Sequence, residues 1–419
     1  MSHARPRRPS PSILARTSPS LATTPLPRVA FAIAGDACDS AAYSGAPASL
    51  MAGFAEAGLP VLPVSTELPR SAQRLLINVL ALGFLDPGRV IRTSRSLATL
   101  RLAIRDSKPK LLPSRELTAI RSAVIGARLA RAARMARIVK FGSEYHLPDN
   151  ADYVTLDDAT ILQLWRSYPY EWMERVGERS LRRMIARQAQ MLRNARACCV
   201  LNRWAAGSVV NDYGVAPSRV HVVGTGPNRQ LPQVEREWDS PRFLFVGKDF
   251  IRKNGAGVLA AFAEVRRRVP EATLDVVGGH PPLYQEGVTG HGVLRLDDAA
   301  EVEALNALYA RATCFVLPSL LEPTGNVHAE ALAAGIGSIG TTAGGVDTVI
   351  GDSGVTVAPD DHAGLIDCML DFCEPTHARE CGARARRRAP LFTWSAVAER
   401  VIRALDLPGW DEHDLALFL

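Results

Sequence analysis

The chain has 419 residues, of which 47% are hydrophobic and 22% are charged. It is therefore long enough for two or three domains with sizeable cores, and its composition excludes a fibrous or largely disordered protein. The net charge of +6 hides a division, because residues 1–229 carry 32 basic and 16 acidic side chains whereas residues 230–419 carry 17 and 27. Either the two halves simply have different solvated surfaces, or the N-terminal half meets an anionic partner.

The lengths of the apolar segments and the spacing of the cysteines point to a cytoplasmic protein. No window reaches the roughly 18 apolar residues that a spanning helix needs. The seven cysteines form no CxxC pair and no zinc-type spacing, which is typical of reduced, buried thiols. Residues 1–27 are rich in Pro, Ser and Arg and lack the apolar segment of a secretory signal. We predict that they form a disordered basic tail.

The first elements of secondary structure follow this tail. Residues 29–34 have the apolar run of a buried strand, and a loop containing Gly45 comes next. Residues 47–57 have a helical pattern that ends at Gly58, and residues 60–64 resemble a second strand. This order of strand, loop, helix and strand predicts a parallel, doubly wound sheet.

A basic segment covers residues 101–140, which hold eleven Lys or Arg and two acidic residues. We predict a helix over 114–140, with further strands at 91–102 and 138–141. On a helical wheel several arginines fall beside apolar residues, so their stems can cover apolar neighbours on an ordinary surface helix. The alternative is that region 115–140 lies on an anionic membrane or lines an anionic acceptor groove. No aromatic residues are interleaved as a stacking platform, so no nucleic acid is expected as a partner.

The rest of the chain repeats the alternation of strands and helices. Strands are predicted at 153–156, 198–201, 220–223, 243–246, 274–277 and 314–317, and helices at 170–196, 256–268, 300–311 and 326–334. Residues 229–241 have the composition of a linker. We therefore predict an α/β fold of two Rossmann-like lobes facing each other across a cleft. The domains are an N-terminal lobe at 28–229, a C-terminal lobe at 230–392, and a helical segment at 393–419 that packs back on the N-terminal lobe.

The strongest local signal is the segment from Pro318 to Glu330. A strand delivers the chain to a loop at its carboxyl end, where open α/β sheets bind ligands. Gly325 allows the backbone to approach a ligand, and the N-terminus of the following helix is a favourable site for a phosphate. Glu322 and Glu330 can lie on either side of that phosphate, and a carboxylate can accept hydrogen bonds from adjacent hydroxyls of a sugar. Spacing alone is weak support, since such pairs are common on surfaces.

A basic loop strengthens this interpretation. Gly247-Lys248 and Lys253-Asn254 lie between a predicted strand and a predicted helix. Two lysines five residues apart in such a loop can neutralise a diphosphate, which suits a leaving group that gains negative charge. Alone, these lysines would be read as solvated loop residues.

Together these features resemble the C-terminal lobe of the group 1, or family 4, glycosyltransferases, which have the two-lobed GT-B fold. The resemblance covers residues 243–405. It includes the Gly-Lys and Lys-Asn-Gly loop, the strand and turn at 315–319, the Glu-x7-Glu segment, the paired glycines Gly344-Gly345, the segment 357–361 and the boundary at 392–395. Several linked motifs in the expected order are more specific than any one of them.

The resemblance implies roles for individual residues. In that family the two basic residues contact the donor diphosphate, which implies Lys248 and Lys253, with Gly247 beside them. Glu322 would lie by the donor sugar and Glu330 by the ribose. The remaining donor-binding residues that it implies are Pro323, Thr324, Gly325, Asn326 and Val327. Such enzymes are similar in using a nucleoside-diphosphate sugar, in retaining anomeric configuration, and in needing neither a metal nor a cofactor, since basic residues and a helix dipole replace the cation.

The N-terminal lobe resembles the family less. Tyr43-Ser44-Gly45 is similar to the glycine-bearing loop after the first strand, so Gly45 is a donor-binding candidate. Residues 153–158 lie where many relatives end a strand in His-Asp, but Asp157 stands at the His position and is the catalytic candidate there, with His146 as a substitute. Two further departures are Thr324, where an aromatic residue is usual, and Asp347, where Glu often follows the paired glycines.

Other functions remain open from the sequence. A GT-B sugar-nucleotide epimerase or a phosphorylase would keep the fold, and a non-catalytic protein could bind a nucleotide sugar or a polyanion. No GxGxxG follows the first strand, which disfavours a dinucleotide oxidoreductase. The main hypothesis is a hexosyltransferase-type enzyme that moves a sugar from its nucleotide donor to the hydroxyl of an unidentified glycan, lipid or small molecule.

Overall fold

The computed structural model describes residues 29–37, 45–68, 71, 114–132, 137–168, 170–231 and 234–407. The predicted tail at 1–27, the predicted strand at 91–102 and the dipeptide Tyr43-Ser44 lie outside these residues. No helix in the described part is both long and apolar enough to cross a bilayer.

The described residues of the first half form a sheet of six parallel strands in the order β2-β1-β3-β4-β5-β6. Every residue of the first strand is buried, as expected for a parallel strand covered on both faces. The strands are Val29–Ile33 (β1), Leu62–Ser65 (β2), Arg137–Phe141 (β3), Tyr153–Asp157 (β4), Ala197–Val200 (β5) and Val220–Val222 (β6).

Helices cover this sheet, and two of them differ from the sequence-based prediction. The helices are Ala46–Glu56 (α1), Arg115–Arg131 (α2), Ile161–Ser167 (α3), Glu171–Val176 (α4), Glu178–Asn194 (α5) and Arg203–Asn211 (α6). The prediction of one helix over 114–140 is wrong for residues 137–140, which belong to a strand between β1 and β4, whereas the strand predicted at 138–141 is confirmed. The predicted helix at 170–196 is two helices, divided at Gly177, which has a positive φ of 76° that an α-helix cannot contain.

The second half forms another sheet of six parallel strands, in the order β12-β11-β10-β7-β8-β9. The strands are Arg242–Gly247 (β7), Thr273–Gly278 (β8), Val288–Gly292 (β9), Cys314–Val316 (β10), Gly337–Thr341 (β11) and Gly354–Val357 (β12). The helices are Gly255–Arg268 (α7), Ala299–Arg311 (α8), Asn326–Ala334 (α9), Asp347–Ile350 (α10), His362–Asp371 (α11), Pro375–Arg388 (α12) and Trp394–Ala404 (α13). The prediction of two Rossmann-like lobes is confirmed.

Strands β9, β11 and β12 were not predicted, because glycine weakens the strand signal. In β11 the glycines have a packing role. A Cβ on Gly340 would lie 2.5 Å from Cδ1 of Ile350, and one on Gly337 would lie 2.6 Å from Cβ of Cys381. These positions allow the helices of the C-terminal lobe to pack directly on the backbone of β11.

Helix α13 returns from the C-terminal lobe to the N-terminal one. Its buried residues Trp394, Val397 and Val401 belong to the same apolar core as Phe31 and Phe54 of β1 and α1. The contact between the two helices is close, since a Cβ on Gly53 would lie 2.3 Å from the carbonyl oxygen of Trp394.

Candidate functional site

The order of the second sheet brings the two predicted donor motifs together. The chain runs outward from β7 through β8 to β9, and β10 then pairs on the other side of β7. The carboxyl ends of β7 and β10 therefore form a topological switch point, where open α/β sheets bind ligands. The loop with Lys248 and Lys253 follows β7, and the loop with Glu322 follows β10.

Lys253 and Glu322 form a buried ion pair at this switch point. The Lys253 ammonium contacts Oε2 of Glu322, which also accepts a hydrogen bond from Ser319 Oγ at 3.0 Å. Burial alone would raise the pKa of Glu322, but Lys253 and then Arg252 outweigh it and lower this pKa, so the carboxylate is ionised. A Cβ on Gly247 would come within 2.9 Å of Cγ of Lys253, so glycine at 247 makes room for the lysine stem.

The other predicted lysine is in a different state. Lys248 is exposed, and no interaction within the described residues engages its ammonium group. Arg252 donates to the Leu321 carbonyl at 2.8 Å, and its guanidinium lies 3.8 Å from Glu322 Oε2. The edge of the sheet therefore holds Lys253 in contact with Glu322 and Lys248 exposed to solvent.

The N-terminus of α9 completes the donor side. Gly325 precedes the helix with φ 69°, a left-handed conformation that favours glycine. Within the described chain, the backbone N–H groups of Asn326 and Val327 donate to no protein acceptor, whereas that of His328 bonds to the Gly325 carbonyl at 2.8 Å. Free N–H groups and the positive end of the helix dipole make this a favourable position for a phosphate.

Glu330 is not an open carboxylate. It is 4% exposed, and its Oε2 accepts hydrogen bonds from Arg229 at 2.8 Å and from the Tyr309 hydroxyl at 3.0 Å. The Arg229 guanidinium also lies over the Tyr309 ring. Burial outweighs Arg229 and raises the pKa of Glu330. A ribose at this carboxylate would have to share it with Arg229, a residue that the sequence analysis left in the linker.

On the N-terminal lobe, Gly45 and Asp157 both lie at the carboxyl edge of the sheet. Gly45 ends the loop before α1 with φ 81°. Burial raises the pKa of Asp157 to about 7, and its Oδ2 is enclosed without a hydrogen-bond partner in the described chain. The charges acting on Asp157 are those of Lys140, Asp158 and Glu144, whereas Glu322 acts on the neighbouring Asp158.

Asp157 therefore shares its electrostatic surroundings with the buried Lys140. Lys140 is 1% exposed, donates to the Gly142 carbonyl at 2.6 Å and lies over the Tyr145 ring. Burial lowers the pKa of Lys140 to about 8 despite the nearby acids. His146, the substitute candidate, is exposed.

The residues that join the two lobes were not predicted from the sequence. Asn202 donates to Pro323 and Thr324, and Thr225 Oγ1 donates to Asn326 Oδ1 at 2.8 Å. Each partner is more than one hundred residues away in the chain, so no local pattern could reveal the contact. Within the described ranges, no group of three or more His, Cys, Asp or Glu side chains is arranged to hold a metal ion.

Sequence comparison finds relatives of the C-terminal half of the chain. Residues 240–374 match the family described as glycosyl transferases group 1. The chain is 31% identical over 225 residues to a D-inositol 3-phosphate glycosyltransferase of Frankia alni, a match that covers 47% of this chain and 55% of that protein. It is 28% identical over 220 residues to an alpha-maltose-1-phosphate synthase of Mycolicibacterium smegmatis, covering 44% and 56%. The chain thus spans about half the length of these curated relatives.

Structural comparison extends over both lobes. A sucrose-phosphate synthase from Thermosynechococcus elongatus aligns with a TM-score of 0.60 at 18% identity, covering 90% of this chain and 97% of that one. The chain has the GT-B fold. WaaG, a glycosyltransferase involved in lipopolysaccharide biosynthesis, aligns with a TM-score of 0.56 at 16% identity, covering 91% and 100%. In this chain the loop with Pro323 and the N-terminus of α9 contact the N-terminal lobe through Asn202 and Thr225, respectively.

Proposed function

We propose that this protein is a retaining, metal-independent glycosyltransferase that moves a sugar from a nucleoside-diphosphate sugar to an acceptor hydroxyl. The observation that carries the proposal is the ionised Glu322, held by Lys253 beside the free N–H groups of α9. The match of residues 240–374 to group 1 glycosyl transferases supports the same reaction class.

The donor diphosphate binds between the basic loop and α9. One phosphate accepts hydrogen bonds from the N–H groups of Asn326 and Val327, and the other pairs with Lys248 and Lys253. Glu322 accepts hydrogen bonds from hydroxyls of the donor sugar. These charges are fixed before the reaction, so they stabilise the negative charge that develops on the departing diphosphate by several kcal/mol.

In the transfer step the bond between the anomeric carbon and the phosphate oxygen breaks, and a bond to the acceptor oxygen forms on the same face of the sugar. The acceptor proton passes to the leaving phosphate oxygen. No separate general base is needed, and this mechanism gives Asp157 no part in the proton transfer. Lysines and the helix dipole provide the countercharge that a metal would otherwise supply, and the reaction needs no cofactor.

A donor screen tests the reaction class. The protein is incubated with UDP-, GDP- and ADP-sugars, and release of the nucleoside diphosphate is measured. The free energy of unfolding of Lys248→Ala should stay within about 0.5 kcal/mol of that of the natural chain, because the side chain is exposed. It should weaken donor binding by about 10- to 100-fold, the effect of losing a charge-assisted hydrogen bond.

The control is Glu264→Gln on α7, where Glu264 pairs only with the exposed Arg267 in the described structure. It should bind and turn over the donor like the natural chain. If every donor fails to bind and to react, the glycosyltransferase proposal is wrong. Binding without turnover would instead favour a non-catalytic nucleotide-sugar-binding protein.

Two further measurements test the finer parts of the proposal. NMR of the product made from an α-linked donor should show an α-linkage, and a β-linkage would exclude a retaining enzyme. Activity should survive treatment with EDTA. A loss that Mg²⁺ or Mn²⁺ restores would exclude metal independence.

A further inference from the structure

Asn202 joins the two lobes at the centre of the molecule. It immediately precedes α6 in the N-terminal lobe and is 0% exposed. Its Nδ2 donates to the Asp158 carbonyl at 2.8 Å in its own lobe. The same nitrogen donates across the cleft to the Pro323 carbonyl at 2.8 Å and to Thr324 Oγ1 at 2.9 Å. One side chain thus bonds the acceptor-side loop after β4 to the donor loop after β10.

The chemistry of asparagine explains why it stands here. Its Oδ1 accepts the N–H of Ala205 at 2.7 Å and so caps α6. Ser, Thr or Asp would cap the helix equally well. Only an amide accepts at the cap with one atom and donates two hydrogens with the other, so three acceptors around Nδ2 share two hydrogens. The cap alone does not require this residue, whereas the link between the lobes does.

The paired glycines after β11 make room for this link. A Cβ on Gly345 would lie 2.3 Å from Cγ of Asn202 and 2.5 Å from the Pro323 carbonyl oxygen. The Gly345 N–H bonds to that carbonyl at 3.1 Å, so Pro323 accepts from both lobes at once. The donor loop is therefore braced on one side by Gly345 and on the other by Asn202.

Neighbouring residues of the two lobes continue this contact. Thr324 supplies the hydroxyl that Asn202 binds. Asp347 pairs with Arg203 at 3.3 Å, and the Arg203 N–H donates to Thr348 Oγ1 at 3.0 Å. The consecutive residues Asn202 and Arg203 thus both bond to the C-terminal lobe.

We propose that Asn202 is a positioning residue that fixes the acceptor-side loop against the donor loop, and that Thr324 is its specific partner. This inference rests on the proposed glycosyl transfer, since its effect is to align an acceptor hydroxyl with the donor sugar. In the described chain the Asn202 amide bonds to neither Glu322 nor the N-terminus of α9, the groups proposed to hold the donor. Its loss opens the cleft and lowers turnover without removing the groups that bind the nucleotide.

The test uses Asn202→Asp, which keeps the helix cap but replaces the donating amide with a carboxylate oxygen that faces carbonyl oxygens. Asp361→Asn is the matched control, because Asp361 caps α11 through the Gly364 N–H and is exposed, away from the contact between the lobes. Thr324→Val replaces the hydroxyl with a methyl group of similar size. It serves as the second variant if Asn202→Asp does not fold. Thr324→Ser restores the hydroxyl.

Three readouts separate positioning from simple stability. Small-angle scattering without ligand should show a larger radius of gyration for Asn202→Asp and not for Asp361→Asn. Binding of UDP, GDP or ADP should change by less than about threefold, whereas kcat should fall on the order of tenfold, since one neutral hydrogen bond is worth a factor of about two to ten in an equilibrium. Thr324→Val should lower kcat in the same direction, and Thr324→Ser should recover most of that loss.

An unchanged radius of gyration in Asn202→Asp and Thr324→Val would overturn the inference. The inference would also be overturned if Asn202→Asp increased the radius of gyration without changing kcat. It would be overturned as well if the variant lost nucleotide affinity and kept its kcat. If the natural chain binds no nucleoside diphosphate, the proposed function fails, but the scattering comparison still decides whether Asn202 holds the lobes together.

Discussion

The buried His328 makes a contribution to stability that we predict is lost as the pH falls below neutrality. The side chain is 0% exposed, with its ring edge-on to Phe315 and close to Gly325 and Gly340. Neither imidazole nitrogen has a hydrogen-bond partner in the described structure. Burial lowers the pKa of His328 from 6.5 to about 4, although Glu322 acts in the opposite direction. The folded chain therefore keeps this imidazole neutral.

The sign follows from proton uptake. The unfolded chain binds a proton on His328 as the pH falls through 6.5, whereas the folded chain does not until the pH approaches 4. The stability contribution is therefore complete above 6.5 and is lost progressively as the pH falls toward 4. Between pH 7.5 and pH 5 the loss amounts to about 2 kcal/mol of the free energy of unfolding.

Urea unfolding at the two pH values measures this loss. His328→Leu, which cannot titrate, should lose about 2 kcal/mol less than the natural chain between pH 7.5 and pH 5. The exposed His362 provides the control, and His362→Leu should keep the full pH dependence. Asp157, whose pKa is raised to about 7, acts in the opposite direction but is present in all three proteins and cancels. Equal losses in the natural chain and His328→Leu would refute the reasoning.

Three other predictions concern the contacts between and around the lobes. Arg229→Met leaves Glu330 buried without its cation and should lower the free energy of unfolding by about 3–5 kcal/mol, as measured in urea. Adding Glu330→Gln should recover part of this loss. If Arg229→Met alone is as stable as the natural chain, the ion pair does not stabilise the fold. Gly345→Ala places a methyl group against Asn202 and should lower the free energy of unfolding by about 1–3 kcal/mol. An unchanged urea midpoint would show that the backbone at 345 and the Asn202 side chain are not in tight contact. We also expect the basic helix α2 to bind anionic vesicles weakly in cosedimentation and to release them at higher salt, and equal failure with anionic and neutral vesicles would exclude membrane association.

The sequence predicted best where a signal is local. The helix at 326–334 was predicted with the bounds that the structure gives, because a loop with Gly325 precedes it and Gly335 ends it in a left-handed conformation. The adjacency of Lys253 and Glu322 follows from pairing of β7 with β10, which the alternation of strands and helices implied only in outline. Thr324 was identified as unusual, but the sequence offered no reason for it.

The sequence predicted least where the structure depends on distant contacts. Strand β11 holds two glycines that only the packing of helices on its backbone explains. The helix predicted at 114–140 overlaps the strand predicted at 138–141, and the strand forms because residues 137–141 pair with both β1 and β4, a long-range contact that the local helical pattern does not register. Asn202 meets Thr324 across 122 residues of chain, and Arg229 meets Glu330 across 101, so neither contact leaves a local signal.

The return of helix α13 to the N-terminal lobe has a consequence for biosynthesis. Residues Val397 and Val401 complete a core whose other members, such as Val29 and Leu50, leave the ribosome first. The domains of most chains fold as units in the order of their synthesis. Here the N-terminal lobe lacks part of its interior until helix α13 emerges, whereas the C-terminal lobe can gather its own core earlier. The N-terminal lobe is thus begun before the C-terminal lobe and completed only after it.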